Sequence, residues 1–235
     1  MAWTAGLARW YRTHGRHELP WRQTRDPWAV LVSEVMLQQT QVARVLPYWE
    51  RFLELWPDHP MFAAAPLTDV LREWQGLGYP RRAVALHDTA SRVATGGWPR
   101  DEAGLRALPG IGAYTARALL TLALDEACPP PLDVNIARVA SRAAGGCEPD
   151  EIGARELAAL VKSGRPRDLD RRSYTFALFD AGALHCRATP ICAGCPLRRS
   201  CLWRTRSPAP AARSVRRRPE PYAGSMRRLR GVLLA

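Results

Sequence analysis

Apolar residues recur three and four positions apart along nearly the whole chain, and the strict alternation of a half-buried strand never persists. This pattern predicts helices over about 3–13, 27–39, 42–55, 68–75, 81–95, 101–107, 113–125, 133–144, 149–162 and 171–185. Punctuation supports several of these boundaries. Asp26-Pro27 supplies an N-cap and a first-turn proline, Thr68 caps the next-but-one helix, and Gly76-Leu77-Gly78-Tyr79-Pro80 ends it. Residues 17–25, around Leu19-Pro20-Trp21-Arg22, read as a loop. The fold class expected is all-α, with two helical lobes: 23–132, and 1–22 together with 133–203. A ligand cleft is expected between them, with Asp133 at the junction.

Composition adds a partner. A net charge of +12 points to a polyanion, with nucleic acid the first expectation. Lys162 is the only lysine; the rest of the positive charge is arginine, which forks onto phosphate. Residues 204–230 hold nine arginines and four prolines against one acidic residue, so 204–235 reads as a flexible basic tail. No apolar run approaches the ~20 residues of a membrane span, and the start lacks the unbroken apolar core of a signal peptide. A cytoplasmic, nucleoid-associated monomer with no membrane partner is expected.

The reducing cytosol matters for the cysteines. Cys186, Cys192, Cys195 and Cys201 are spaced C-x5-C-x2-C-x5-C, four thiols within 16 residues. An iron–sulfur cluster and an all-cysteine zinc site both fit this set, and a single compact run favours the cluster. Cys128 and Cys147 stand apart and read as structural thiols.

Other candidates lie on predicted helix ends. Leu108–Asn135 reads as a glycine hairpin, a helix, a proline-broken loop and a new helix start. Gly110 and Gly112 leave hairpin N–H groups open to a phosphate at the following helix N-terminus. Glu34 has Val30, Leu31, Leu37 and Gln38 as helical neighbours. Such a face raises a carboxyl pKa and suits a general acid, although a boundary glutamate reaching solvent gives the same spacing. Asp133 fits both an N-cap and a cleft carboxylate, with Asn135 placed to hydrogen-bond across the site. Tyr114 brings a hydroxyl beside the hairpin. Gln38, Gln39 and Gly76–Tyr79 can wedge into a duplex or simply anchor loops.

Together, LPW (19–21), SEVMLQQTQV (33–42), GLGY (76–79), LPGIGAYTA (108–116), LDVN (132–135) and the four cysteines resemble the MutY-type adenine DNA glycosylases, helix-hairpin-helix relatives of endonuclease III. The resemblance implies a monofunctional enzyme that removes adenine mispaired with 8-oxoguanine or guanine. It implies Glu34 as the acid, Asp133 as stabiliser of the cationic sugar, Asn135 as support, and Tyr114 where lyases of this kind carry a lysine. It further implies Trp21, Arg22 and Leu37 as the base pocket, Gln39 and Tyr79 as the residues that fill and wedge the duplex, and a [4Fe–4S] cluster on the four cysteines. Three departures stand out. The first cysteine loop has five intervening residues rather than six, and Pro80 replaces a tyrosine. Phe176 stands where many members carry a glutamine or glutamate that hydrogen-bonds adenine. The family's C-terminal Nudix-like domain has no counterpart in the sequence, so a narrowed preference for 8-oxoguanine over guanine is expected.

Overall fold

The structure, a computed structural model, describes residues 3–206. Among these residues it is helical, without strands. The order is α1 (Leu7–His14), a 3-10 turn (Pro20–Arg22), α2 (Pro27–Met36), α3 (Val42–Leu55), α4 (His59–Ala64), α5 (Leu67–Glu73), α6 (Arg81–Gly96), α7 (Glu102–Arg106), α8 (Ala113–Leu122), α9 (Val134–Ala140), α10 (Ala154–Ser163), α11 (Arg171–Leu184) and α12 (Leu202–Arg206). None of them is long and apolar enough to cross a membrane.

Helix α2 is the hub. Asp26 caps it, accepting from the N–H groups of Trp28 (3.1 Å) and Ala29 (3.2 Å). Every residue from Trp28 to Met36 is buried, as an all-round apolar helix requires. It packs on α3, α6 and α8. The indoles of Trp28 and Trp49 donate to the carbonyls of Trp56 (3.1 Å) and Ala29 (2.9 Å), so these large rings bury without orphaned N–H groups. On the other side of the cleft, α11 packs on α9 and α1. A Cβ at Gly182 would stand 2.5 Å from the Asn135 Cβ, so glycine allows the close α9–α11 approach that sets the position of Asp133 and Asn135.

Several boundaries differ from the periodicity. Helix α1 starts at Leu7 rather than residue 3, because Gly6 turns the chain at φ +91°. Helix α2 stops at Met36 rather than 39, since Gln39 is left-handed at φ +57°. The expected 133–144 helix is α-wound to Ala140 only; Ser141–Gly145 is π-wound and ends on Gly146 at φ +71°. Helix α10 begins at Ala154 rather than 149. The 17–25 loop contains the 3-10 turn. Helix α4 is additional, and its signal was present: Asp58 caps it (2.8 Å to the Met61 N–H) with Pro60 in the first turn. Helix α12 takes in residues 204–206, which composition assigns to the basic tail; the remainder of that tail, 207–235, lies outside the described residues.

Candidate functional site

A cavity of about 320 Å³ opens between the end of α2, the start of α8, the start of α9 and one face of α11. That is within the range of small-molecule sites. Glu34, Tyr114, Asp133, Asn135, Trp21, Arg22, Leu37 and Gln38 all line it.

Glu34 lies in the last turns of α2 and is 8% exposed. Burial pushes its carboxyl up from 4.5 to about 7 and the nearby Asp133 adds to this, while the Tyr114 hydroxyl and the Arg22 charge pull the other way. The group is therefore close to half protonated at neutral pH. Tyr114 reaches it from the first turn of α8, and burial beside two carboxylates holds the phenol well above its ordinary value. It stays a neutral donor.

Asp133 is both cap and cavity wall. It accepts from the N–H groups of Asn135 (3.0 Å) and Ile136 (2.7 Å) and from the Asn135 side chain (2.7 Å). Burial outweighs these bonds and raises its carboxyl above the usual aspartate range. The Asn135 carbonyl in turn accepts from Arg138 (2.8 Å), whose Nε donates to the Cys186 carbonyl. The cavity wall and the cysteine loop are thus tied through one guanidinium.

Arg22 does not point freely into the cavity. It forks onto Asp180 (2.7 and 2.9 Å), which also receives the Arg16 side chain (2.6 Å) and N–H (3.0 Å). Burial alone would raise Asp180, but the Arg22 and Arg16 contacts hold it below its ordinary value. The Arg22 guanidinium rides over the Phe176 ring at 4.5 Å. The Trp21 ring meets the Trp49 ring edge-on at 5.8 Å. Sequence reasoning missed Asp180, Arg16 and Phe179, because no local pattern marks which residues of α11 will face the 3-10 turn.

Gln38 lines the cavity, and the other duplex-probing candidates lie on three turns around it. Gln39 and Tyr79 are both left-handed, at φ +57° and +50°, and exposed. Gly76 and Gly78 take φ +94° and +75°, while the Leu77 side chain is buried and anchors its turn rather than facing outward. Gly110 needs glycine twice over, at φ +72° and with a Cβ 2.8 Å from that of Ala85; the space before Gly112 is open.

The four cysteines of the 186–201 loop are unpaired and lie within electrostatic reach of one another. Their sulfurs are met by donors: Arg142 at 3.7 Å from Cys186 Sγ, the Leu197 N–H on Cys195, and the Arg204 and Trp203 N–H groups on Cys201. Burial pushes the Cys195 thiol up to about 11. Among the described residues, no three His, Cys, Asp or Glu groups close on a single ion. Cys128 bonds with Thr121 (3.3 Å), and Cys147 lies over the Ser141 carbonyl (3.8 Å).

Residues 32–162 match the model of the HhH-GPD superfamily base excision DNA repair protein. The chain is 44% identical over 233 residues to the adenine DNA glycosylase of Mycolicibacterium smegmatis, covering 97% of this chain and 78% of that protein. It is 40% identical to the adenine DNA glycosylase of Mycobacterium tuberculosis, covering 97% and 76%. The fold superposes on a thermostable thymine-DNA glycosylase with a TM-score of 0.74 at 25% identity, covering 87% of this chain and 95% of that one.

Proposed function

The chain belongs to the HhH-GPD superfamily of base excision DNA repair proteins and, within it, to the adenine DNA glycosylases; from that premise we propose that the cavity around Glu34 excises mispaired adenine by hydrolysing its N-glycosidic bond. The observation that carries this reading is a buried carboxyl near half protonation at pH 7 and a half-buried second carboxylate in one nucleoside-sized cavity.

The chemistry follows from their environments. Adenine leaves poorly until its ring is protonated, and the base must first leave the stack. Glu34 gives its proton to N7. The C1′–N9 bond breaks with its electron pair going to adenine, and positive charge develops on the sugar. Asp133, the second carboxylate on the cavity wall, stabilises that charge. Glu34, now ionised, takes a proton from water, whose oxygen bonds to C1′. Adenine and an abasic site result, by the two-carboxylate logic of glycoside hydrolysis. Phe176 offers no hydrogen bond to a base, so selectivity falls to Trp21, Arg22, Leu37 and the acid itself.

Binding to duplex DNA uses the hairpin N–H groups at Gly110–Gly112 for a phosphate, with Gln39 and Tyr79 entering the base stack. Single-turnover assays on duplexes with A opposite 8-oxoguanine, A opposite G and T opposite G test the assignment. Excision of adenine from the first two and no excision of thymine is expected. Excision confined to T opposite G overturns it.

Tyr114 provides no amine, which supports hydrolysis without strand cleavage. Tyr114→Lys is expected to form a borohydride-trapped adduct through a Schiff base at C1′. A variant that excises its base yet gives no adduct contradicts the placement of residue 114 beside the sugar.

Cys186, Cys192, Cys195 and Cys201 are proposed to hold a [4Fe–4S] cluster. Four thiols in one compact run, met by Arg142 and three backbone N–H groups, suit such a group. When bound it organises the loop that Arg138 ties to Asn135, and the excision steps do not pass through it. Purified protein is expected to be yellow-brown with about four irons per chain. Stoichiometric zinc without iron rejects the proposal.

A further inference from the structure

We propose that Arg82 is a positioning residue that locks the two duplex-probing turns, 37–40 and 76–79, into one rigid wedge. The inference rests on the reading that this chain opens duplex DNA to excise a base.

Arg82 lies in the first turn of α6, and its two terminal nitrogens divide between the turns. One donates to the carbonyls of Val35 (2.8 Å) and Gln38 (2.7 Å), the other to those of Leu77 (2.9 Å) and Gly78 (3.1 Å). Helix α2 ends at Met36, so the first nitrogen satisfies carbonyls that no longer have a helical partner. Capping α2 needs that nitrogen alone. The second nitrogen makes the guanidinium a bridge. Its plane fixes the relative placement of two backbone segments 39 residues apart, measured from Gln38 to Leu77. The Arg82 guanidinium also stands 5.5 Å from the ring centres of both Trp74 and Tyr79.

What the bridge holds is strained. Each turn carries a non-glycine residue in the left-handed region, Gln39 and Tyr79, and both side chains are exposed. Such backbone persists only where the surroundings over-determine it. Two probes that must enter one base step from separate loops need a fixed separation, and one planar donor fork supplies it. Lysine at 82 keeps the charge but loses the planar fork, so it separates bridging from simple attraction to phosphate.

The test compares wild type with Arg82→Lys in two measurements. Single-turnover excision is followed on a duplex with adenine opposite guanine and on one with the adenine already extruded in a bulge. The variant is expected to lose on the order of 10- to 100-fold on the mispair, as misplaced positioning groups do, and several-fold less on the bulge. Equal loss on both, no loss, or full activity with lysine overturns the inference. Amide exchange is followed at Thr40 and Leu77, whose N–H groups close the two turns onto Leu37 and Trp74. Both are expected to exchange on the order of tenfold faster in Arg82→Lys, with the α8 amides unchanged. Acceleration of one turn alone, of the whole protein, or of neither overturns it. If wild type excises from neither substrate, the functional reading fails, and the exchange result decides the bridge independently.

Discussion

Glu34→Gln is expected to lower single-turnover adenine excision by 10²- to 10⁴-fold, the usual worth of a positioned proton donor, while duplex affinity stays nearly unchanged. Affinity is mainly a phosphate term, to which a carboxyl buried beneath Tyr114 contributes little. The wild-type rate is expected to fall as pH rises through about 7, where Glu34 loses its proton. It also falls on the acid side as Asp133, itself raised by burial, becomes protonated. Stability falls on the same alkaline side. The folded carboxyl is raised from 4.5 to about 7, so its contribution is complete below 4.5 and is lost as pH climbs through 7. Glutamine does not titrate. The variant should therefore exceed wild type by roughly 3 kcal/mol at pH 8 and match it near pH 4. Denaturant unfolding at the two pH values measures this. A wild-type excision rate in the variant, or a stability gain that does not depend on pH, removes Glu34 from the role of buried acid.

Asp133→Asn separates two jobs that one side chain performs. Asparagine is as good an N-cap as aspartate, so α9 should start where it does now and the cap itself should cost no stability. The negative charge on the cavity wall is lost, and the new amide nitrogen meets the Asn135 side chain donor to donor. Excision is expected to drop at least 10²- to 10³-fold, the scale of removing one preorganised electrostatic partner from a transition state. Asp133→Ala, by contrast, should cost about 1 kcal/mol of stability as well, through the lost cap. If Asp133→Asn excises at the wild-type rate while Asp133→Ala does not, the residue acts through the helix start and the sugar cation is stabilised elsewhere.

Much of the site is local and therefore legible in the sequence. A capping aspartate is recognised by its position before a helix, a glycine hairpin by its spacing, and a cysteine run by its arithmetic. Glu34 could be picked out from its apolar neighbours, but the same spacing also describes a glutamate at a helix boundary. The packing of α8 on α2 decides between the two, since it takes water away from the carboxyl. Arg22 shows the opposite limit. The sequence marks it as a pocket residue, and nothing near it predicts that Asp180, 158 positions away, will take both its nitrogens and hold it over Phe176.

Arg82 belongs with Arg22. Nothing in the local sequence marks it, and only the juxtaposition of the α2 terminus with the 76–79 turn makes it a bridge. The sequence by itself determined the helical class, most helix starts, the order of the motifs and the identity of the groups able to carry protons or sulfur-bound metal. Those properties depend on periodicity, capping and side-chain chemistry, which act over a few residues. The tertiary structure alone decided which helices stop short, which carboxyl is desolvated, and which arginines are bound to partners rather than free for DNA. Those outcomes depend on distances between segments far apart in the chain, and burial and hydrogen bonding become definite only once the helices have packed.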